Sequence, residues 1–239
     1  KPYYTTRDDV DTDAEHRINY FDSEYGIEQV NSAATLGYST MNPTGYDGGS
    51  IKASGNSSTW VMGFKFTEFE GKFADKEYVK ENYSYVEFYV YNGSVGGDAY
   101  RKSIYISVTA GGFLKSGDRI ELPIDTWTKV RLPIPADGDL SNAAGNGWAF
   151  VLEHENASNN GLDNANYTVY ISAVYGVPKV KYTSGDDMKA ALDELMKKVD
   201  EISDLDVLNI KDGYSSLSST EQAKVTNYKS FLKTYYTTR

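Results

Sequence analysis

Apolar and polar residues alternate at period two along most of the chain up to Tyr182, and after it the apolar positions fall three and four apart. Before Tyr182, short runs rich in Val, Ile, Tyr, Phe and Thr are separated by clusters of Gly, Asn, Asp and Ser, the pattern of an all-β sandwich. Strands are predicted over residues 19–30, 50–53, 59–69, 83–91, 101–109, 119–122, 127–134, 148–155 and 167–177. Residues 36–49 and 156–166 read as loops. After Tyr182, Ser184 and Asp187 have capping-box spacing, and Met188, Leu192, Leu195, Val199 and Ile202 form one apolar stripe. A second segment carries Val207, Ile210, Tyr214 and Leu217. A third, capped by Ser218 or Ser219, carries Val225, Tyr228, Phe231 or Leu232, and Tyr235. Helices so short and one-sided need each other, so they are expected to pack as a three-helix bundle. The expected organisation is a lead over residues 1–17, a β-sandwich over 18–182 and the bundle over 183–239.

Successive side chains in a strand point to opposite faces. Val86, Phe88 and Val90 form a core set, which leaves Tyr83, Tyr85, Glu87, Tyr89 and Tyr91 on the other face. Ile104, Ile106 and Val108 leave Arg101 and Tyr105 outward, and Val130, Leu132 and Ile134 leave Trp127, Lys129 and Arg131 outward. Trp148 shares the parity of Phe150 and Leu152 but stands at a strand start after Gly147, so it joins the candidates as well. Placed in one sheet, these residues would assemble aromatic rings, hydrogen-bonding groups and a few charges. Sugars fit such a surface, because their C–H faces stack on rings while their hydroxyls need planar polar partners. The alternative is that another strand, the helices or a neighbouring unit covers the tyrosines, since exposed aromatic surface marks interaction sites of several kinds.

Composition sharpens this picture. Tyr outnumbers Phe 21 to 9, with 3 Trp, which favours half-wet aromatic surface. A net charge of −10 disfavours nucleic acid and acidic polysaccharides, and leaves neutral glycans as the expected ligand. Cysteine is absent, which excludes thiol catalysis, disulfides and Cys-based zinc sites. His16 and His154 belong to no metal-binding pair, and no nucleophile elbow or phosphate-cradling glycine motif is present. No catalytic residue, metal ligand or cofactor is therefore assigned, and Glu87 is the one acid to test for catalysis. The Asn- and Asp-rich loops could offer oxygens to a structural calcium, but no motif supports one. No apolar run is long enough to cross a bilayer. The chain starts at Lys1 without a signal peptide, as a mature fragment or excised piece would.

Tyr3-Tyr4-Thr5-Thr6-Arg7 recurs as Tyr235-Tyr236-Thr237-Thr238-Arg239, which makes adjacent repeats of the same protein a second class of partner. The segments Phe21-Asp22-Ser23-Glu24, Gly48-Gly49-Ser50-Ile51-Lys52, Tyr85 to Asn92, Asp125 to Val130 and Val169 to Val174 follow one another as in bacterial jelly-roll carbohydrate-binding modules, which the chain resembles from about residue 18 to 178. The sandwich with its C-terminal helices is similar to cell-surface starch-adherence proteins of gut bacteria. The resemblance implies a jelly-roll β-sandwich, secreted or at the surface of a Gram-positive bacterium, that binds starch or another neutral polysaccharide without cleaving it. Family members often hold calcium through an acid in the closing strand, where this chain has Ser172. The competing expectation is a structural or adhesive spacer that binds a protein partner.

Overall fold

The computed structural model describes residues 16–19, 21, 27–29, 35–44, 48–55, 61–67, 69, 71–93, 104–110, 120–141, 148–154, 167–179 and 181–239. The chain divides into two compact units, Lys1–Pro178 and Lys179–Arg239. The described strands of the first are β1 (Arg17–Asn19), β2 (Ile27–Gln29), β3 (Thr35–Ser39), β4 (Ser50–Gly55), β5 (Val61–Phe66), β6 (Tyr83–Asn92), β7 (Ile104–Ala110), β8 (Ile120–Leu122), β9 (Trp127–Pro133), β10 (Trp148–His154), β11 (Tyr167–Ser172) and β12 (Val174–Pro178). They form two antiparallel sheets. One runs β1-β12-β6-β11-β4-β3 with β9 on the other edge of β6, and the second runs β2-β5-β10-β7-β8.

Strand β6 is the axis of the larger sheet, pairing with β9, β11 and β12. Its Val86, Phe88 and Val90 are fully buried, together with Val130 and Leu132 of β9, Val169 and Ile171 of β11, and Ile51 and Ala53 of β4. Phe66 of the second sheet meets Phe88 edge to face at 5.9 Å, so this layer is the sandwich core. Burial of each such side chain contributes about 1.5–3 kcal/mol, which makes it the main force holding the sheets together.

Three local features depart from the expected pattern. Residues 36–39, the start of the loop expected over 36–49, form β3 with Thr35 against β4. Residues 76–82, given no element, form helix α1 (Lys76–Asn82), whose N-cap Asp75 accepts from the Glu77 and Tyr78 amides at 3.1 Å. That helix buries only Val79, too little for a visible stripe. The expected closing strand breaks at Ala173, where Ser172 Oγ accepts from the Tyr89 amide at 2.8 Å and donates to the Ala173 carbonyl at 3.1 Å. Ser172 thus supplies hydrogen bonds to the broken ladder.

The second unit contains α2 (Gly185–Met196), α3 (Asp204–Ser216), α4 (Ser219–Lys224) and α5 (Tyr228–Thr237). Met188, Leu192, Val199, Ile202, Val207, Ile210, Leu217, Val225, Phe231 and Tyr235 make its core. The expected third helix is two, because the chain turns at 225–227 and Asn227 Nδ2 donates to the Lys189 carbonyl of α2 at 2.8 Å. Ser184, Ser203 and Ser218 cap α2, α3 and α4, and Ser203 with Asp206 completes a capping box. The second copy of the repeated pentapeptide closes this unit: Tyr235 is buried, and the Arg239 guanidinium lies 4.4 Å over its ring. The first copy, at residues 3–7, lies outside the described residues.

Gly185 fixes the approach of α2 to α4. Its amide donates to Glu221 Oε2 at 2.7 Å, and a Cβ there would sit 2.0 Å from the Glu221 carbonyl oxygen. Alanine normally stabilises a helix relative to glycine by about 0.5–1 kcal/mol. At this position the backbone must move instead, and Gly185→Ala is expected to destabilise the helical unit by about 1–3 kcal/mol. Far-UV circular dichroism on heating measures this; an unchanged or raised helical midpoint would contradict the packing.

Candidate functional site

The larger sheet has one face in the core and one facing away from it. Register places Trp127 beside Tyr91, Tyr91 beside Tyr170, and Tyr170 beside Lys52. One step along β6, Tyr89 pairs with Lys129, and one step further Glu87 pairs with Arg131 on one side and Tyr175 on the other. This outer face contains most of the residues singled out from sequence. It does not present all of them to solvent.

Tyr83, Tyr85 and Glu87 are 2%, 7% and 0% exposed, so these three expected ligand contacts are corrected. Tyr83 is not on the outer face at all. Pairing with β12 shifts from Tyr85↔Val177 to Tyr83↔Pro178, so Ser84 is an extra residue on β6 and the side-chain alternation inverts before it. The Tyr83 ring therefore joins the core beside Phe73 at 5.2 Å, with His16 Nδ1 bonded to its hydroxyl at 2.9 Å. Gly176 makes room for it, since a Cβ there would lie 2.6 Å from the ring. Tyr85 keeps its outer parity but lies under Arg131, whose guanidinium is 5.8 Å from the ring centre.

Glu87 lies between Lys129, whose Nζ is 3.2 Å from Oε1, and Arg131, whose Nε is 3.5 Å from Oε2. Burial pushes its carboxyl above the ordinary range, while Arg131 and Lys129 pull in the opposite direction. With no exposed surface, Glu87 cannot touch a glycosidic bond. It acts as an internal counter-ion that holds two partly exposed cations against the sheet.

The other half of the face is open. Tyr89, Tyr91, Trp127, Lys129 and Tyr170 are half-buried, and Arg131 and Lys52 are exposed. Tyr91 is central: its ring centre is 5.4 Å from Trp127 and 6.0 Å from Tyr170, with interplanar angles of 57° and 70°. The turn before β9 sets the position of Trp127. Asn92 Nδ2 donates to the Leu122 carbonyl at 2.9 Å, and the Asp125 amide donates to the Asn92 carbonyl at 2.8 Å. Asp125 turns the chain with φ 54°, a left-handed conformation that Asp tolerates better than most residues. Gly93 lies beside the tyrosines, where a Cβ would come within 3.2 Å of Tyr170 and 3.4 Å of Tyr91.

Two further candidates belong to other strands. Tyr105 in β7 and Trp148 in β10 are in the second sheet, so the single-sheet condition on which these candidates were joined is not met for these two. Arg101 lies outside the described residues. Tyr170 and Lys52 were absent from the sequence-derived set, although Val169/Ile171 and Ile51/Ala53 mark both as outward positions. What sequence lacked was the strand order that sets them beside Tyr91.

No protein-family model and no curated protein sequence matches the chain. Solved structures do align with it. An exo-beta-agarase aligns over 77% of this chain and 31% of its own, with 12% identity and a TM-score of 0.39. Carbohydrate-binding modules from the beta-sandwich superfamily align over 68% of this chain and 61% of their own, with 11% identity and a TM-score of 0.36. The CBM51-2 and INT domains of Clostridium perfringens ZmpB, in complex with GlcNAc, align over 92% and 43%, with 13% identity and a TM-score of 0.26. This chain thus spans less than two thirds of each of these structures. What its outer face can hold follows from its own residues.

Proposed function

We propose that the outer face centred on Tyr91 binds polysaccharide without cleaving it. The observation that carries this reading is the half-exposed row Trp127–Tyr91–Tyr170, flanked by Lys129 on one side and Lys52 on the other. Each ring offers a patch for sugar C–H groups, and each has few rotors to freeze on binding. Lys129, Thr168 and Lys52 supply polar partners for hydroxyls on the same face. The rings are tilted against one another, so they form a twisted trough about 10 Å across three strands and not a flat platform. That shape suits a single glycan chain better than a crystalline surface.

Isothermal titration and affinity gels with amylopectin, xyloglucan, mannan, agarose and pectin test the proposal. Binding to at least one polymer, without release of reducing ends, is the expected result. Failure to bind any of them would reject it, and released reducing ends would reject its non-catalytic part. An α-glucan, the ligand that the family resemblance favours, would use the aromatic row but leave the flanking cations unmatched.

A further inference from the structure

The charges on this face run against those of the chain. The protein carries a net −10, so an average patch of its surface is acidic. Among the described strand residues of the outer face, the cations are Arg17, Lys52, Lys129 and Arg131, and the one acid is Glu87. Glu87 is fully buried and is shared by Lys129 and Arg131, which leaves that trio with a net positive charge directed outward. Lys52 is exposed at the far end of the aromatic row and has no carboxylate partner among the described residues.

Resting on the glycan-binding reading, we infer that the ligand is a carboxylated glycan, a stretch of polyuronate. The carboxylate of a uronic acid is attached directly to the sugar ring and lies at its rim. A ring stacked on Trp127 or Tyr91 therefore holds that group beside the stacking surface, toward the next outward residue of each strand, about 6.7 Å along. On β9 that residue is Lys129, followed by Arg131. Arg131 meets Glu87 through Nε, and the rest of its planar fork retains donors that match a second carboxylate in bidentate geometry. At the other end of the row, Lys52 meets a carboxylate on a neighbouring sugar. A neutral glycan would have to desolvate these cations with nothing of opposite charge to offer them.

De-esterified homogalacturonan oligomers and their fully methyl-esterified form share sugar and linkage and differ in charge, so titration of both isolates the carboxylate. The acid form is expected to bind about tenfold or more tightly than the ester, and to weaken between about 0.05 and about 0.5 M salt. Lys52→Gln should weaken the acid form about two- to fivefold without affecting the fold, since its side chain is exposed and meets no described carboxylate. Lys129→Gln should weaken it as well and also lower the thermal midpoint, because buried Glu87 then keeps only Arg131 as its counter-charge. Glu87→Gln should strengthen it, because the variant removes the counter-ion that already occupies Lys129 and Arg131; a purely structural role for Glu87 would not increase affinity. Equal binding of acid and ester, or binding of amylopectin or agarose alone, would overturn the inference while leaving polysaccharide binding intact. Binding of carrageenan but not polygalacturonate would assign the cations to sulfate and overturn it as well. If no glycan binds, it is the proposed function that fails.

Discussion

Tyr91→Ala is expected to cost about 1–3 kcal/mol of glycan affinity, roughly a 5- to 150-fold rise in Kd. Its ring touches both other aromatics of the row, so truncation removes one stacking surface and also the support that Tyr91 gives Trp127 and Tyr170. Because the ring is half-exposed and outside the core cluster, the thermal midpoint should change much less than for a core residue. Tyr85→Ala makes the informative contrast. Six positions separate the two residues, and both have outer parity, yet Tyr85 is 7% exposed under Arg131. That variant should lose stability and keep its affinity, measured by calorimetric titration alongside thermal unfolding. If Tyr85→Ala weakens binding as strongly as Tyr91→Ala while the fold holds, the site lies further along β6 than the geometry places it.

The contrast between Tyr85 and Tyr91 also shows what alternation alone can and cannot reveal. The core side of β6 was legible because Val86, Phe88 and Val90 are aliphatic at every second position, and a strand so marked has little freedom in which face it buries. The outer side was legible as a side but not as a surface. Burial there depends on side chains that arrive from other strands, and Arg131 over Tyr85 and the cation pair around Glu87 are set by register with β9. Ser84 carries no local sign of a bulge, and that single extra residue turns Tyr83 from the outer face into the core. Tyr105 and Trp148 were misplaced for a related reason. Period-two patterns look alike in both sheets of a sandwich, and only pairing tells which sheet a strand joins.

Charge behaved in the same way. Net charge describes the field at a distance, and −10 argues correctly that a polyanion meets an overall repulsive molecule. Contact is decided within a Debye length of about 8–10 Å, where the described strand residues of this face offer Lys52, Lys129 and Arg131 to solvent and bury their one acid. The composition-based preference for neutral glycans averages over the whole surface, whereas the carboxylated ligand inferred above would meet this face alone. In the helical unit more of the core is legible in the sequence, since helical contacts are local. Met188, Leu192, Val199, Ile202, Val207, Ile210 and Leu217 all lie in its core. No Gly or Pro marks the split between α4 and α5; the turn is held by Asn227, which bonds back to α2.

Tyr235→Ala should unfold the helical unit. The side chain is 1% exposed, closes the core formed by Val199, Ile202 and Phe231, and is covered by Arg239. Replacing a buried aromatic by Ala costs about 3–5 kcal/mol. A unit as short as Lys179–Arg239 has a hydrophobic core of about that total value, so little net stability would remain. Loss of helical circular dichroism in the full chain at room temperature is the expected result, and a helical midpoint within a few degrees of the parent would contradict it. Tyr235→Phe separates ring from hydroxyl. The hydroxyl donates to Asp204, and burial together with that bond pushes its pKa up to about 12 from the ordinary 10. Below about pH 10 both folded and unfolded chains keep the phenolic proton, and its contribution is fully present. Between about pH 10 and about pH 12 the unfolded chain releases the proton while the folded chain holds it, so stability falls as pH rises through that window. Tyr235→Phe should lose about 1 kcal/mol at neutral pH, because the exposed Asp204 can rehydrate, and should show a shallower alkaline decline than the parent. An equally steep decline in the Phe variant would mean that other tyrosines govern the alkaline transition and that Tyr235 contributes only through its ring.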